Sequence, residues 1–226
     1  MIAVSDSRLA IDVISDVVCP WCFIGKRRLE AALAQRAVME PGLKPRVSWH
    51  PFQLNPDLPR EGVNRKSYLE AKFGGPERAA MIYGRLRAAG ATVGIAFAFD
   101  RILRQPNTRD AHRLIAWAQE RAGPDGGDRL VERLFAAYFL EGRDPGEPDV
   151  LAAIAGEAGL DAAAARAMLD SEEGREAVLQ AQRRAGELGI GGVPFFIFDG
   201  RLAVSGAQEP RILADAIAEA AKPARA

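Results

Sequence analysis

Residues 9 to 18, LAIDVISDVV, form a short apolar run rich in β-branched side chains, and the stretch that follows places Phe23, Ile24, Leu29, Ala32 and Leu33 on one side at helical spacing. The pattern predicts a strand feeding a helix. A second extended segment, KPRVSWHPFQLNP (44 to 56), is bounded by Gly42 and Pro45 on one side and by NPDLP on the other. The chain therefore opens as a βαβ unit, whose crossover is expected to be right-handed. From about 62 to 190 the periodicity is that of helices alone. Asn107 and Thr108 read as a start signal before the stripe Ala111, Leu114, Ile115, Ala118, and Ser171 reads as another before EEGREAVLQAQRRAGEL. Breaks are expected at GGP (74 to 76), GPDGG (123 to 127), GRDPGEP (142 to 148) and Gly156 to Gly159. Leu130, Val131, Leu134, Phe135, Tyr138 and Phe139 recur at helical spacing as core. After GIGG (189 to 192), VPFFIFDGRLAVSGA predicts two strands turning at Asp199-Gly200, and EPRILADAIAEAA (209 to 221) predicts a closing helix with Pro210 near its first turn. The fold class is α/β, ordered βαβ, helical block, ββα, with no internal repeat.

A chain of 226 residues suits one domain with an insertion, or two small lobes. Its 48% hydrophobic and 27% charged residues are those of a soluble globular protein. Thirty basic residues balance thirty acidic ones, which argues against a nucleic-acid partner or an anionic membrane. The basic runs Lys26-Arg27-Arg28 and Arg183-Arg184 fall inside helical patterns and read as solvated helix faces. The N-terminal stretch has no charged leader and is interrupted by Asp6, Asp12 and Asp16, unlike a secretory apolar region. No run of eighteen apolar residues is present. The expectation is a soluble cytoplasmic protein, and in that compartment a disulfide is more often a working bond than a staple.

The only two cysteines, Cys19 and Cys22, stand together in SDVVCPWCFIGKRRLE (15 to 30) at the predicted strand-to-helix junction. Bridging them would close a trivial loop and remove little entropy from the unfolded chain. With Cys19 at the N-cap and Pro20 at the first helical position, the Cys19 sulfur is expected where the N–H groups of Trp21 and Cys22 point. Those donors and the positive helix end stabilise a thiolate, which makes Cys19 the expected nucleophile. Cys22, one turn on, is expected to stay buried and protonated until it resolves a mixed disulfide. The alternatives are idle or structural thiols, or half a zinc site. His50 and His112 lie 28 and 90 residues beyond Cys22, which fits no common zinc spacing, so no metal is expected.

The βαβ opening, the CxxC, the helical block and the late GGVP together resemble the thioredoxin superfamily, specifically its DsbA-like group with an inserted helical domain. The stretches CPWCFIGKRRLE, WHPFQLNP, PNTRDAHRL and GIGGVPFFIF...AVSGAQ are similar to the FrnE-type branch, a set of mostly cytoplasmic dithiol oxidoreductases. The resemblance implies a thioredoxin-like fold divided as 1 to 61 (N-terminal part), 62 to 188 (inserted helical domain) and 189 to 226 (C-terminal part). It further implies that Pro194 is a cis proline facing the CxxC and that the backbone of Val193 pairs with a bound substrate strand. Pro20 and Trp21 are then redox-tuning and substrate-facing positions. Weaker candidates are Asp16, as a proton acceptor or else a solvated acid, and His112, facing the cysteines or else structural. Asn107 is most simply an N-cap, Ser205 and Gln208 line the groove or make turn chemistry, and Trp49 is core.

These readings predict a protein-disulfide oxidoreductase, acting as reductase or isomerase on a disulfide-containing protein or a small thiol. It requires no cofactor, with glutathione a candidate reductant or co-substrate. The alternative is a glutathione-dependent transferase or isomerase of the kappa or 2-hydroxychromene-2-carboxylate isomerase type, whose members typically carry a serine where Cys19 stands and lack the second cysteine. A non-catalytic, redox-regulated chaperone is a third reading. Monomer and homodimer remain equal expectations.

Overall fold

The computed structural model describes residues 9 to 223. The reading of the N-terminal leader falls in part on residues 1 to 8, outside the described residues. Strand β1 (Ala10–Ser15) leads through a tight turn into helix α1 (Pro20–Met39), and strand β2 (Arg46–Pro51) returns parallel to β1, with Val13 opposite Trp49. At the far end of the chain β5 (Phe195–Phe198) and β6 (Leu202–Ser205) form the hairpin expected at Asp199-Gly200, where Asp199 adopts φ 52° and Gly200 φ 65°. The sheet order is β2-β1-β5-β6, with β5 antiparallel to β1. Alternation sends Ile11, Val13, Phe196 and Phe198 to one buried face. There they meet Phe23 and Ile24 of α1 and Leu213 and Ile217 of the closing helix α8 (Pro210–Ala220).

Between β2 and β5 lies the helical insertion: α2 (Arg65–Phe73), α3 (Pro76–Ala91), α4 (Arg109–Ala136), α5 (Pro148–Glu157), α6 (Ala162–Asp170) and α7 (Arg175–Glu187). Its core is continuous with that of the sheet: Phe23 of α1 stacks on Phe135 of α4 at 5.1 Å, and Phe97 and Phe139 close the aromatic cluster. The other sheet face carries a smaller cluster, Ile14, Phe52, Ala185 and Ile190, beneath α7. This is a thioredoxin-like fold with a helical insertion.

Three local expectations are corrected, and the break at GPDGG is kept: Gly123 takes φ 69° and ψ −177°, outside the helical region, and Pro124 restarts the helix, so the span α4 is two helices joined at a kink. The segment is not purely helical, since Val63–Asn64 (β3) and Arg104–Gln105 (β4) form a two-stranded ladder too short to leave a periodicity. Ser171 does not start a helix. Its hydroxyl bonds back to the Met168 carbonyl at the end of α6, while the fully buried Arg113 guanidinium binds the carbonyls of Met168, Ser171 and Glu173, and α7 begins only after Gly174 at φ 76°. Nor is Lys26-Arg27-Arg28 a solvated face. Lys26 is 3% exposed and bound to Glu30 and to Asp128, whose other oxygen accepts from the Trp49 indole at 3.0 Å; Arg27 pairs with Glu132, and Arg28 reaches the Ala207 carbonyl. These contacts tie α1 to the insertion and to the 206–209 loop. Trp49 is buried as expected.

Strand β2 is an edge strand whose free side is met by a side chain instead of another strand. Gln119 of α4 accepts from the Trp49 N–H (2.7 Å) and donates to the Trp49 carbonyl (2.9 Å). Gln182 of α7 does the same for Gln53, at 2.7 and 3.3 Å. An amide side chain in this pose completes the ladder that an open edge would otherwise offer to another chain.

Candidate active site

The two cysteines sit where the strand becomes a helix. After Ser15 the chain turns at 16 to 19, closed by the Cys19 N–H donating to the Asp16 carbonyl (3.0 Å), and Cys19 holds extended backbone angles (φ −93°, ψ 112°) as the N-cap of α1 with Pro20 at its first position. The Cys19 sulfur makes no capping bond. The Cys22 N–H, expected to point at it, donates instead to the Cys19 carbonyl (3.0 Å), because the first turn of α1 closes at once. The sulfur lies 3.6 Å from the Val193 carbonyl oxygen, at the start of the cis Val193–Pro194 bond. Both thiols are free and buried, at 5% and 1% exposure, whereas Trp21 between them is 42% exposed. Burial pushes the Cys22 thiol well above its ordinary range, and the adjacent Cys19 sulfur adds to the rise against opposing bonds from the Ser15 hydroxyl and the Asp16 backbone.

What lets α1 lie against the proline is Gly25. A β-carbon there would sit 2.9 Å from Pro194 Cγ and 3.2 Å from the Phe196 ring, closer than packed carbons approach. Sequence reasoning passed over this residue, since a lone glycine inside a helix signals only a cost.

Asp16 is fully buried, so the solvated acid at the strand end is excluded. Its Oδ2 accepts from the Leu54 N–H (2.8 Å) and its Oδ1 from the Val18 N–H (3.5 Å). His112, 3% exposed on α4, brings Nε2 to 3.4 Å from the same Oδ1, off the line of a hydrogen bond, so among the described residues this buried nitrogen has no hydrogen-bond partner. Asn107, one residue before the Thr108 cap of α4, accepts from the Arg109 N–H and from Gln53 Nε2, and donates to the Leu58 carbonyl (2.7 Å). The N-cap is thus Thr108 and not Asn107, which braces the turn before the helix and anchors the 52–58 loop beside Asp16. Gln53, Leu54 and Gln182, which hold that loop, carried no local signal. Gln208 donates to the Ser205 carbonyl (2.9 Å), and Gly206 to that of Pro194 (2.8 Å), which is turn chemistry that braces the proline segment. Among the described residues no group of three or more His, Cys, Asp or Glu could hold a metal ion, and no helix is long and apolar enough to cross a membrane.

The family model of the DSBA-like thioredoxin domain matches residues 10–218. The chain belongs to that family. A solved structure described as a probable DsbA oxidoreductase from Streptomyces coelicolor is 31% identical, with a TM-score of 0.84 over 97% of this chain and 94% of that one. The uncharacterised protein YwbO of Bacillus subtilis is 29% identical over 213 residues, 94% of this chain and 97% of its own. Two more distant structures share the fold: the cytosolic disulfide reductase DsbM of Pseudomonas aeruginosa (22% identical, TM-score 0.63, 93% and 97% covered) and a 2-hydroxychromene-2-carboxylate isomerase (17%, 0.66, 93% and 95%).

Within this DSBA-like protein the fold thus brings together Cys19, Cys22, Val193, Pro194, Asp16 and His112, and leaves Ser205 and Gln208 as a brace at the side. A thiol above a buried second thiol, beside an exposed tryptophan, can attack a disulfide through the outer sulfur, and the mixed disulfide formed there can be resolved from within.

Proposed function

We propose that this protein is a cytoplasmic thiol–disulfide oxidoreductase that reduces or isomerises disulfides with Cys19 and Cys22. The observation that carries the reading is the placement of the Cys19 sulfur 3.6 Å from the carbonyl that precedes the cis Val193–Pro194 bond, with the buried Cys22 thiol behind it. The Cys19 thiolate attacks a substrate disulfide, and one substrate sulfur leaves with the electron pair and takes a proton. The Cys22 sulfur then gives up its proton and attacks Cys19. The Cys19–Cys22 bond forms, the Cys19–substrate bond breaks, and the released sulfur carries the second electron pair. The substrate is reduced and the dithiol oxidised. Trp21 supplies an apolar contact beside the sulfur, and the Val193 backbone lies where an extended substrate would pair. Glutathione, with which a structure of DsbM was also solved, is the candidate reductant of the resulting disulfide.

The test is the redox equilibrium of the cysteine pair in glutathione buffers, read by thiol trapping, with insulin reduction on the same samples. A reversible two-electron transition with turnover, lost in Cys19→Ser, is expected; full turnover by Cys19→Ser would remove the basis of the reading. The glutathione-dependent transferase or isomerase keeps support from the shared fold. Against it stand the cysteine at position 19 and the second cysteine. Calorimetric binding of glutathione to a protein whose thiols never pair would favour it.

A further inference from the structure

Of the three consecutive basic residues in α1, two bind the insertion and the third turns toward the loop beside the proline. Lys26 and Arg27 pair with Asp128 and Glu132 of α4, whereas Arg28, 13% exposed, donates to the Ala207 carbonyl (2.6 Å) and pairs with Glu209 (2.6 Å) in the loop that follows β6. A planar guanidinium can hold both acceptors at once with fixed geometry, as a single ammonium cannot. The same loop reaches the active site. Gly206, in the left-handed region at φ 79°, donates its N–H to the Pro194 carbonyl (2.8 Å), and the Gln208 N–H closes back on the Gly206 carbonyl (2.9 Å). The contacts form a closed ring: Cys19 caps α1, Arg28 on that helix holds Ala207, the adjoining Gly206 holds Pro194, and the Val193 carbonyl stands 3.6 Å from the Cys19 sulfur.

We propose that Arg28 is a positioning residue for substrate capture, which tethers the Val193–Pro194 backbone where an extended peptide disulfide pairs beside Cys19. The proposal rests on the oxidoreductase reading and adds a substrate class to it: a disulfide carried on a chain that can lie extended. Packing at Gly25 stops the proline segment from moving closer to α1, but packing does not stop it from moving away. The bonds from Arg28 to the loop supply the missing restraint. A peptide disulfide must meet two fixed points together, the Cys19 sulfur and the Val193 backbone, so a small change in their separation is felt at capture. A small disulfide without a backbone meets the sulfur alone. The bonds exchanged are the same for both: the Cys19 thiolate joins one substrate sulfur, the substrate S–S bond breaks, and the leaving sulfur carries off the electron pair and takes a proton. Arg28 touches neither sulfur and only sets where the peptide lies.

The experiment compares the reaction rates of the reduced full chain with a fluorogenic peptide disulfide and with dithiodipyridine, a small disulfide that has no backbone to pair. Arg28→Met is expected to slow the peptide about tenfold or more and to leave dithiodipyridine within about twofold of wild type. Arg28→Lys, which keeps one bond at a time, and Glu209→Ala, which leaves the Ala207 carbonyl bound, should fall between wild type and Arg28→Met on the peptide and match wild type on the small disulfide. A loosened fold or an altered Cys19 thiolate would change both disulfides together, so the split between substrates separates positioning from mere support. Equal slowing on both, slowing on the small disulfide alone, or no slowing overturns the role of Arg28 while the oxidoreductase reading stands. Wild type that reacts with dithiodipyridine and not with the peptide overturns the substrate class and the role together. Wild type that reacts with neither ends the oxidoreductase reading itself. Should Arg28→Met fail to fold, Arg28→Lys and Glu209→Ala carry the same decision, and the absence of peptide-selective slowing in both overturns the proposal.

Discussion

Replacing Gly25 by alanine sets two effects of known sign against each other. In a helix interior alanine is favoured over glycine by about 0.5–1 kcal/mol. Here its β-carbon would stand 2.9 Å from Pro194 Cγ, 3.4 Å from Pro194 Cβ and 3.2 Å from Phe196 Cζ, where carbons pack best at about 3.5–4.0 Å. A change of pucker can move Pro194 Cγ but leaves its Cβ and the Phe196 ring in place, and Phe196 is fully buried. Either α1 or the proline segment must therefore retreat by about half an ångström or more, an overpacking that costs about 1–3 kcal/mol. The net expectation is a loss of up to about 2.5 kcal/mol, and at about 2–4 °C per kcal/mol for a chain of this size the melting temperature falls by up to about 10 °C. Retreat of the segment also changes the approach of the Cys19 sulfur to the Val193 carbonyl, now 3.6 Å, so mixed-disulfide formation should slow even where the protein remains folded. Gly84 on α3 provides the control, because a β-carbon there meets nothing within 4 Å. Gly84→Ala should keep the helix gain alone, raise stability by about 0.5–1 kcal/mol and leave turnover untouched. Thermal unfolding and insulin reduction of the two variants side by side decide the matter. A Gly25→Ala protein that gains stability as Gly84→Ala does, at unchanged turnover, refutes the packing argument.

Two further outcomes are expected. The buried Cys22 thiol is held above its ordinary range, so the native state keeps its proton where the unfolded chain begins to lose it, near pH 8.5. Stability is then unaffected below that pH and falls above it, by at most about 1.4 kcal/mol per pH unit, until the folded thiol itself ionises. Urea unfolding under reducing conditions from pH 7 to 10 should show this fall in wild type and a shallower one in Cys22→Ala; parallel curves would contradict it. Gln119→Ala leaves the N–H and carbonyl of the buried Trp49 unpaired at the sheet edge and should cost about 1–3 kcal/mol in the same unfolding assay. Gln119→Glu, which retains the acceptor but sets a carboxylate against the carbonyl, should do no better. A change within about 0.5 kcal/mol for Gln119→Ala, the scale of an ordinary surface substitution, would show that the contact is incidental.

What the sequence disclosed and what it hid divide by the distance to the partner. The strand before Cys19, the proline at the start of α1, the hairpin at Asp199-Gly200 and the closing helix are written in residues within one turn of each other, so periodicity and turn chemistry suffice to read them. Gly25 is different. Its reason lies in Pro194 and Phe196, some 170 residues on, and no local rule distinguishes it from a glycine that merely weakens a helix. Asp16 at the end of a strand could be solvated or buried, and the choice depends on the Leu54 N–H and on His112, which the topology delivers from β2's extension and from the insertion. Gln119 and Gln182 carry the same lesson: on a helix each reads as a polar surface residue, and only the strand edge at Trp49, or the loop beyond it at Gln53, gives it a backbone partner. Lys26 hides its burial for the converse reason, since three basic residues in a row resemble a wet face until Glu30, Asp128 and Glu132 converge on one of them. The cysteine pair on which the proposed chemistry rests was thus legible, while the residues that position it were not. Cysteine spacing is a local feature; the frame that sets the distance of the Cys19 sulfur to Val193 and buries Asp16 beside the turn is assembled from three separate parts of the chain.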